Sequence, residues 1–172
     1  MPISPYVRRL RDAVGSERLV LPSVAGLVRA PGGRLLLVQN RDTEDWTTPG
    51  GVIEVDETPA TAVVREVWEE TGLLVTPRRL FGVYGGPRFL VQYPNGDETQ
   101  YISTMFECDV VSGEPRPDGD ETMDVRFHTL DDARALRLSP WLVEVLPRLY
   151  NQSSPPWFEP TDWRPNEITP QT

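Results

Sequence analysis

The sequence predicts a single-domain α/β protein of 172 residues. Three observations carry this. Two apolar runs of strand length, 19–28 and 34–39, come early in the chain. A strongly patterned helix over 59–71 follows them. Further strand-like runs then alternate with loops up to an apolar-striped helix over 140–150.

Composition narrows the function classes. Hydrophobic residues make up 38% and charged residues 25%, which fits a globular domain and not a disordered chain. There are 17 basic and 26 acidic residues, a formal charge of −9. An acidic chain is a poor sequence-independent binder of nucleic acid or of an anionic membrane, so neither is expected as a partner. An anionic small substrate then needs a cationic intermediary, usually a divalent metal. Cys108 is the sole cysteine and His128 the sole histidine, which excludes an internal disulfide and a His-rich zinc site. No apolar run reaches membrane-spanning length, and the first ten residues lack an apolar signal core, so a cytoplasmic location is expected.

In chain order, 5–14 reads as an amphipathic helix with Tyr6, Leu10 and Val14 on one stripe, ended by Gly15. The two early strands read as a hairpin about Pro31-Gly32-Gly33. Residues 40–49 form a loop carrying Trp46. Residues 80–84 read as a short strand, and 89–93 with 98–111 as a hairpin about 94–97. The stretch 112–120 is an acidic loop, 125–130 a last strand, and 130–132 a turn of helix. Pro140 suits the first turn of the final helix, and Pro147 is expected to kink or end it. From Asn151 the composition turns proline-rich but keeps Trp157, Phe158 and Trp163, so this tail is expected to drape over the domain or over a partner subunit.

The chemistry lies in 51–73, GVIEVDETPATAVVREVWEETGL. Thr58 and Pro59 start the helix and Gly72 ends it. At 100° per residue, Ala60, Val64, Val67, Trp68 and Thr71 share one face, expected to meet the core. Glu66, Glu69 and Glu70 share the opposite one, with small Ala62 leaving room among them. Like charges this close destabilise a helix by roughly 0.2–0.5 kcal/mol per pair. Three such carboxylates suit a hard divalent cation.

A glutamate-rich helix face alone is usually just a solvated surface. The full pattern here is longer: Gly51, Glu57, Arg65, Glu66, an aliphatic residue at Val67, Glu69, Glu70, Gly72 and Leu73. Its chance occurrence in a chain this long is on the order of 10⁻⁷. The stretch resembles the signature of the Nudix hydrolases (MutT-like). That resemblance implies an α/β/α sandwich with a mixed β-sheet over 19–150. The helical extension 1–18 and the Pro-rich tail 151–172 lie outside it. It also implies cleavage of a pyrophosphate bond in a nucleoside diphosphate linked to another group, with Mg²⁺ or Mn²⁺ as cofactor and a homodimer as the assembly.

Carried over residue by residue, the resemblance places metal on Glu66, Glu69, Glu70 and the Gly50 carbonyl. Glu66 serves as ligand or as base, and Arg65 and Glu57 orient it. Glu121 is favoured over Asp118 and Asp120 as an added loop acid, acting as ligand or catalyst. Trp46, Arg88 and Tyr93 are candidate substrate contacts, as is Tyr101; Trp46 reads more readily as a buried anchor for its loop. His128 and Cys108 read as structural. Pro87, fourteen residues past Leu73, hints at ADP-ribose. The expected substrate order is ADP-ribose or a nucleotide-sugar, then a (d)NTP or modified nucleotide. A non-catalytic ligand-sensing domain and a diphosphate isomerase are the contrasting readings, opposed by the complete set of carboxylates.

Overall fold

The computed structural model describes residues 4–151 and 155–161. In chain order the elements are helix α1 (Pro5–Val14), strands β1 (Leu19–Val28), β2 (Leu35–Asn40) and β3 (Trp46–Thr47), then helix α2 (Pro59–Thr71). Strands β4 (Leu73–Tyr84), β5 (Leu90–Gln92), β6 (Glu98–Gly113) and β7 (Thr122–His128) follow. Helices α3 (Leu130–Arg134) and α4 (Pro140–Leu149) and strand β8 (Trp157–Phe158) complete the chain.

The uninterrupted apolar run of β2 has a physical cause. Leu36 and Val38 join Val24 and Val28 of β1 in a core layer beneath Val63 and Val67 of α2. Leu35 and Leu37 join Ala25 and Leu27 in a second layer beneath Leu142, Leu146 and Leu149 of α4. Strands held between two helices have no solvent face, so the alternation of apolar and polar residues disappears. The result is the expected α/β sandwich with helices on both sides.

The sheets are mixed. β1 runs parallel to β6, in a ten-residue register from Leu19↔Thr99 to Val28↔Cys108, and β4 and β5 pair antiparallel with β6. A second sheet has the order β3-β2-β7. This corrects the expected hairpin of the first two strands. Pro31-Gly32-Gly33 does turn the chain, with the Ala30 N–H donating to the Arg34 carbonyl at 2.9 Å. The strands then part into different sheets, joined by an isolated bridge between Arg29 and Leu35. A local turn signal says nothing about which distant strand offers the longer ladder.

Other boundaries shift for local reasons. β4 starts at Leu73, not at 80, because its register slips between Pro77 and Arg79 and so accommodates a proline that lacks an N–H. β7 starts at Thr122 instead of 125. α3 is fixed by a capping box between Thr129 and Asp132. α4 continues two residues past Pro147, so the proline interrupts only the last turn.

The tail does cover the domain where it is described. Trp157 and Phe158 pair in parallel with Gly82 and Val83, and the Arg148 guanidinium lies 4.2 Å from the centre of the Trp157 ring. Trp163 lies outside the described residues. Cutting the chain after Tyr150 strips the edge of β4, so it is expected to lower Tm by several degrees and to reduce solubility. Unchanged melting of the truncated protein would remove the tail from the account of stability.

Candidate active site

Helix α2 begins at the Thr58 cap, whose hydroxyl accepts from the Thr61 N–H at 3.2 Å, and ends at Gly72 with φ +69°. Its buried face is Ala62, Val63, Glu66, Val67, Glu70 and Thr71. This corrects the face assignment made from the helical wheel. Val67 and Thr71 do point inward, but Trp68 is 47% exposed while Glu66 and Glu70 are 8% and 7% exposed. Ala62 leaves no room for an ion; it is fully buried in the core. Gly26 of β1 lets the helix settle this deeply, since a Cβ there would stand 2.6 Å from Val67 Cγ2.

Burying two carboxylates needs partners, and the segment before the helix supplies them. The Gly50 N–H donates to Glu70 Oε2 at 3.1 Å. Gly50 has φ +156° and packs against β1 so closely that a Cβ would lie 2.2 Å from the Val24 carbonyl. At Gly51 a Cβ would fall 2.6–2.8 Å from the Glu66 carboxylate. Gly51→Ala is therefore expected to displace that carboxylate and lower kcat about a hundredfold with little loss of fold. Wild-type turnover in this variant would show that the position of Glu66 is unimportant.

Arg65 braces the cluster. Its Nε and Nη2 donate to the two oxygens of Glu57, both at 2.9 Å, and Nη2 also to the Val52 carbonyl at 3.1 Å. Its Nη1 donates to Glu66 Oε1 at 2.8 Å and to Glu69 Oε2 at 3.0 Å. The fork holds Glu57 below the usual carboxylate range. Burial outweighs Arg65 at Glu66 and pushes it up to about 7. Burial, then the neighbouring Glu66, pushes Glu70 well above its ordinary value.

A cavity of about 830 Å³ opens over these groups, and Glu66, Glu69, Glu70, Gly50 and Glu121 all line it. Glu121 is placed by an Asx turn: Asp118 Oδ1 accepts from the N–H groups of Asp120, Glu121 and Thr122. Burial and then Asp118 raise Glu121. Tyr93 and Tyr101 line the same cavity, their hydroxyls 2.6 Å apart.

Two expected contacts lie elsewhere. Trp46 is 8% exposed in the core with its ring edge-on to His128, centroids 4.9 Å apart, so it anchors its loop. Arg88 points outward to Glu144 at 2.7 Å, because Phe89 of the same 3-10 turn packs inward on Trp141. Pro87 belongs to that turn and does not line the cavity. Cys108 is buried, its thiol pushed up to about 12 by desolvation, as suits a core residue.

The NUDIX domain family matches residues 20–149. The chain belongs to the Nudix hydrolase family. Relatives span most of its length. A MutT-like protein of Streptomyces ambofaciens is 35% identical over 144 residues, 84% of this chain and 86% of the relative. An ADP-ribose pyrophosphatase of Methanocaldococcus jannaschii is 35% identical over 75% of each chain. An 8-oxo-dGTP diphosphatase of Haemophilus influenzae is 29% identical over 80% of this chain and 96% of the relative. The protein is thus a pyrophosphohydrolase, and no helix among its described residues is long and apolar enough to cross a membrane.

Nudix hydrolases act with a divalent metal, and the donor set here fits one: oxygen atoms only, partly buried and mutually repelling. Among the described residues no three acidic, histidine or cysteine side chains already converge on one ion position. The hydrogen bonds explain this, since Arg65 ties down Glu66 and Glu69 while Gly50 ties down Glu70. Sequence reading missed Arg11, Asp42 and Glu54 in the cavity wall. Arg11 belongs to α1, outside the motif, and no spacing rule connects it to the helix.

Proposed function

We propose that this Nudix hydrolase cleaves the pyrophosphate bond of a nucleoside diphosphate linked to a second group, with ADP-ribose or a nucleotide-sugar as the first candidates. The observation that carries the reading is the convergence of Glu66, Glu69, Glu70 and Glu121 on one cavity of about 830 Å³, a volume suited to a nucleotide. The 35% identical ADP-ribose pyrophosphatase supports the order of candidates. The 8-oxo-dGTP diphosphatase keeps a (d)NTP as the second reading.

Glu66, Glu69, Glu70 and the Gly50 carbonyl are the groups that would hold Mg²⁺ or Mn²⁺. When bound, such an ion neutralises charge on the phosphates and lowers the pKa of attacking water. Glu66 keeps one oxygen on Arg65 and leaves the other free for an ion or a proton. Glu57 and Arg65 hold that orientation, and Glu121 faces the opening as an additional acid. A panel of ADP-ribose, nucleotide-sugars, NTPs and modified NTPs, assayed for released monophosphate, phosphate and pyrophosphate, tests the reading. Turnover of none of them would overturn it.

Chelation by EDTA is expected to abolish hydrolysis, and Mg²⁺ or Mn²⁺ to restore it. Binding also has a pH signature. Glu66 and Glu70 stand above their unfolded values. The contribution of Glu66 to the ion-free fold is therefore full below about pH 4.5 and is lost as pH rises through about 7, and that of Glu70 runs in the same direction. A divalent ion takes the ionised forms. The gain in Tm on adding Mg²⁺ is thus larger at pH 8 than at pH 5, and equal gains would count against both residues as ligands.

A further inference from the structure

Helix α1 forms part of the cavity wall although none of its residues is buried. Its cap Ser4, with Pro5, Val7 and Arg11, lines the same opening as the carboxylates. Its tie to the domain is Arg11. Nη2 donates to the Glu98 carbonyl at 2.7 Å and to Thr99 Oγ1 at 2.9 Å, and Nε lies 3.4 Å from the Asp97 carboxylate. Nη1 closes the end of α1 itself through the carbonyls of Gly15 and Glu17, at 3.2 and 2.7 Å.

The charge on this side of the cavity is informative. Nine carboxylates and two arginines line it, and both arginines are committed, Arg65 to Glu57, Glu66 and Glu69 and Arg11 to α1 and β6. Among the described residues, then, no uncommitted cation awaits a second phosphate. Apart from Asp97, whose charge is paired with Arg11, what faces the cavity there is neutral: the paired Tyr93 and Tyr101 hydroxyls, Thr99, the Asn95 amide, and the apolar surfaces of Val7 and Pro94. Hydroxyls beside apolar surface recognise an uncharged polar ring. Tyr93 also lies within electrostatic reach of both Arg11 and Glu121, so the neutral and acidic halves adjoin.

We propose that α1, Tyr93 and Tyr101 form a subsite for the uncharged nucleoside or glycosyl end of the substrate, with Arg11 as the positioning residue that keeps α1 in place. The proposal rests on the diphosphate hydrolysis inferred above and deepens it. The family match begins at residue 20, so this wall comes from the chain's own extension.

The test uses the full chain with Mg²⁺. Arg11→Ala is expected to raise KM for ADP-ribose at least tenfold and to change kcat less than threefold. Inhibition by methylenediphosphonate, which reaches only the carboxylate end, should stay within twofold. Tyr93→Phe should raise KM severalfold and serves as the readout if Arg11→Ala fails to fold. 5-Phosphoribosyl 1-diphosphate, phosphorylated at both ends, should be turned over at least a hundredfold less efficiently than ADP-ribose. An unchanged KM in both variants, or a lowered kcat at constant KM, overturns the subsite, as does efficient use of the doubly phosphorylated compound. Binding of the α,β-methylene analogue of ADP-ribose separates the two readings. If no diphosphate is hydrolysed but Arg11→Ala still weakens the analogue tenfold, the hydrolase reading fails and the subsite stands.

Discussion

Glu70→Gln is expected to lower kcat by about a thousandfold or more while Tm stays within a few degrees of wild type. The substitution keeps the volume of a side chain that is 7% exposed, and an amide oxygen can still accept from the Gly50 N–H at the observed 3.1 Å. What disappears is a negative charge at the cavity floor. If that charge grips a cation that neutralises the phosphates, its loss removes several kcal/mol of transition-state stabilisation, and each ~1.4 kcal/mol is tenfold in rate. Folding should tolerate the change, because burial already penalises the ionised carboxylate. Steady-state kinetics with saturating Mg²⁺ and thermal melting decide the matter. Full turnover would take Glu70 out of the metal site. Glu121→Gln should cost less, since that residue is anchored by a loop and not by the helix; wild-type activity there would remove it from the site.

Arg65→Met is expected to damage turnover and stability together, lowering kcat about a hundredfold and Tm by several degrees. Arg65 donates to Glu57, Glu66, Glu69 and the Val52 carbonyl, and an apolar, shorter methionine restores none of these bonds. Charge-assisted hydrogen bonds contribute about 1.5–3 kcal/mol, and each ~1 kcal/mol shifts Tm by roughly 2–4 °C at this size. Lysine should rescue only partly, because an ammonium cannot reproduce the two-pronged contact with Glu57. A variant that melts lower yet keeps its kcat would make Arg65 a stability residue alone.

Much of the site was legible because it is local. The run from Gly51 to Leu73 keeps its cap, its helix and its carboxylates within 23 consecutive residues, and spacing on a helix translates directly into direction. Glu57 and Arg65 were expected, from the family resemblance, to orient Glu66, and the structure pairs them with each other. The wheel nevertheless assigned Trp68 to the core and the glutamates to the exterior. Hydrophobicity is a sound guide to burial except where the partner surface is polar, and here the partner is the Gly50–Gly51 backbone, which offers an N–H and no side chains. Trp46 and Arg88 were chosen by residue type, and type does not say which way a turn faces.

The motif resemblance added the chemistry; the amino-acid order alone determined which acids sit on one helix and that strands and helices alternate through a single domain. It did so because those relations span few residues and follow fixed helical geometry. Tertiary structure decided the rest. It sent β1 to β6 instead of β2, drew Glu66 and Glu70 beneath the surface, brought Glu121 in from the loop before β7, and set α1 in the wall of the same cavity. Those outcomes depend on contacts between segments up to about ninety residues apart, such as Arg11 with Thr99, where long-range packing chooses among partners that look equivalent in sequence.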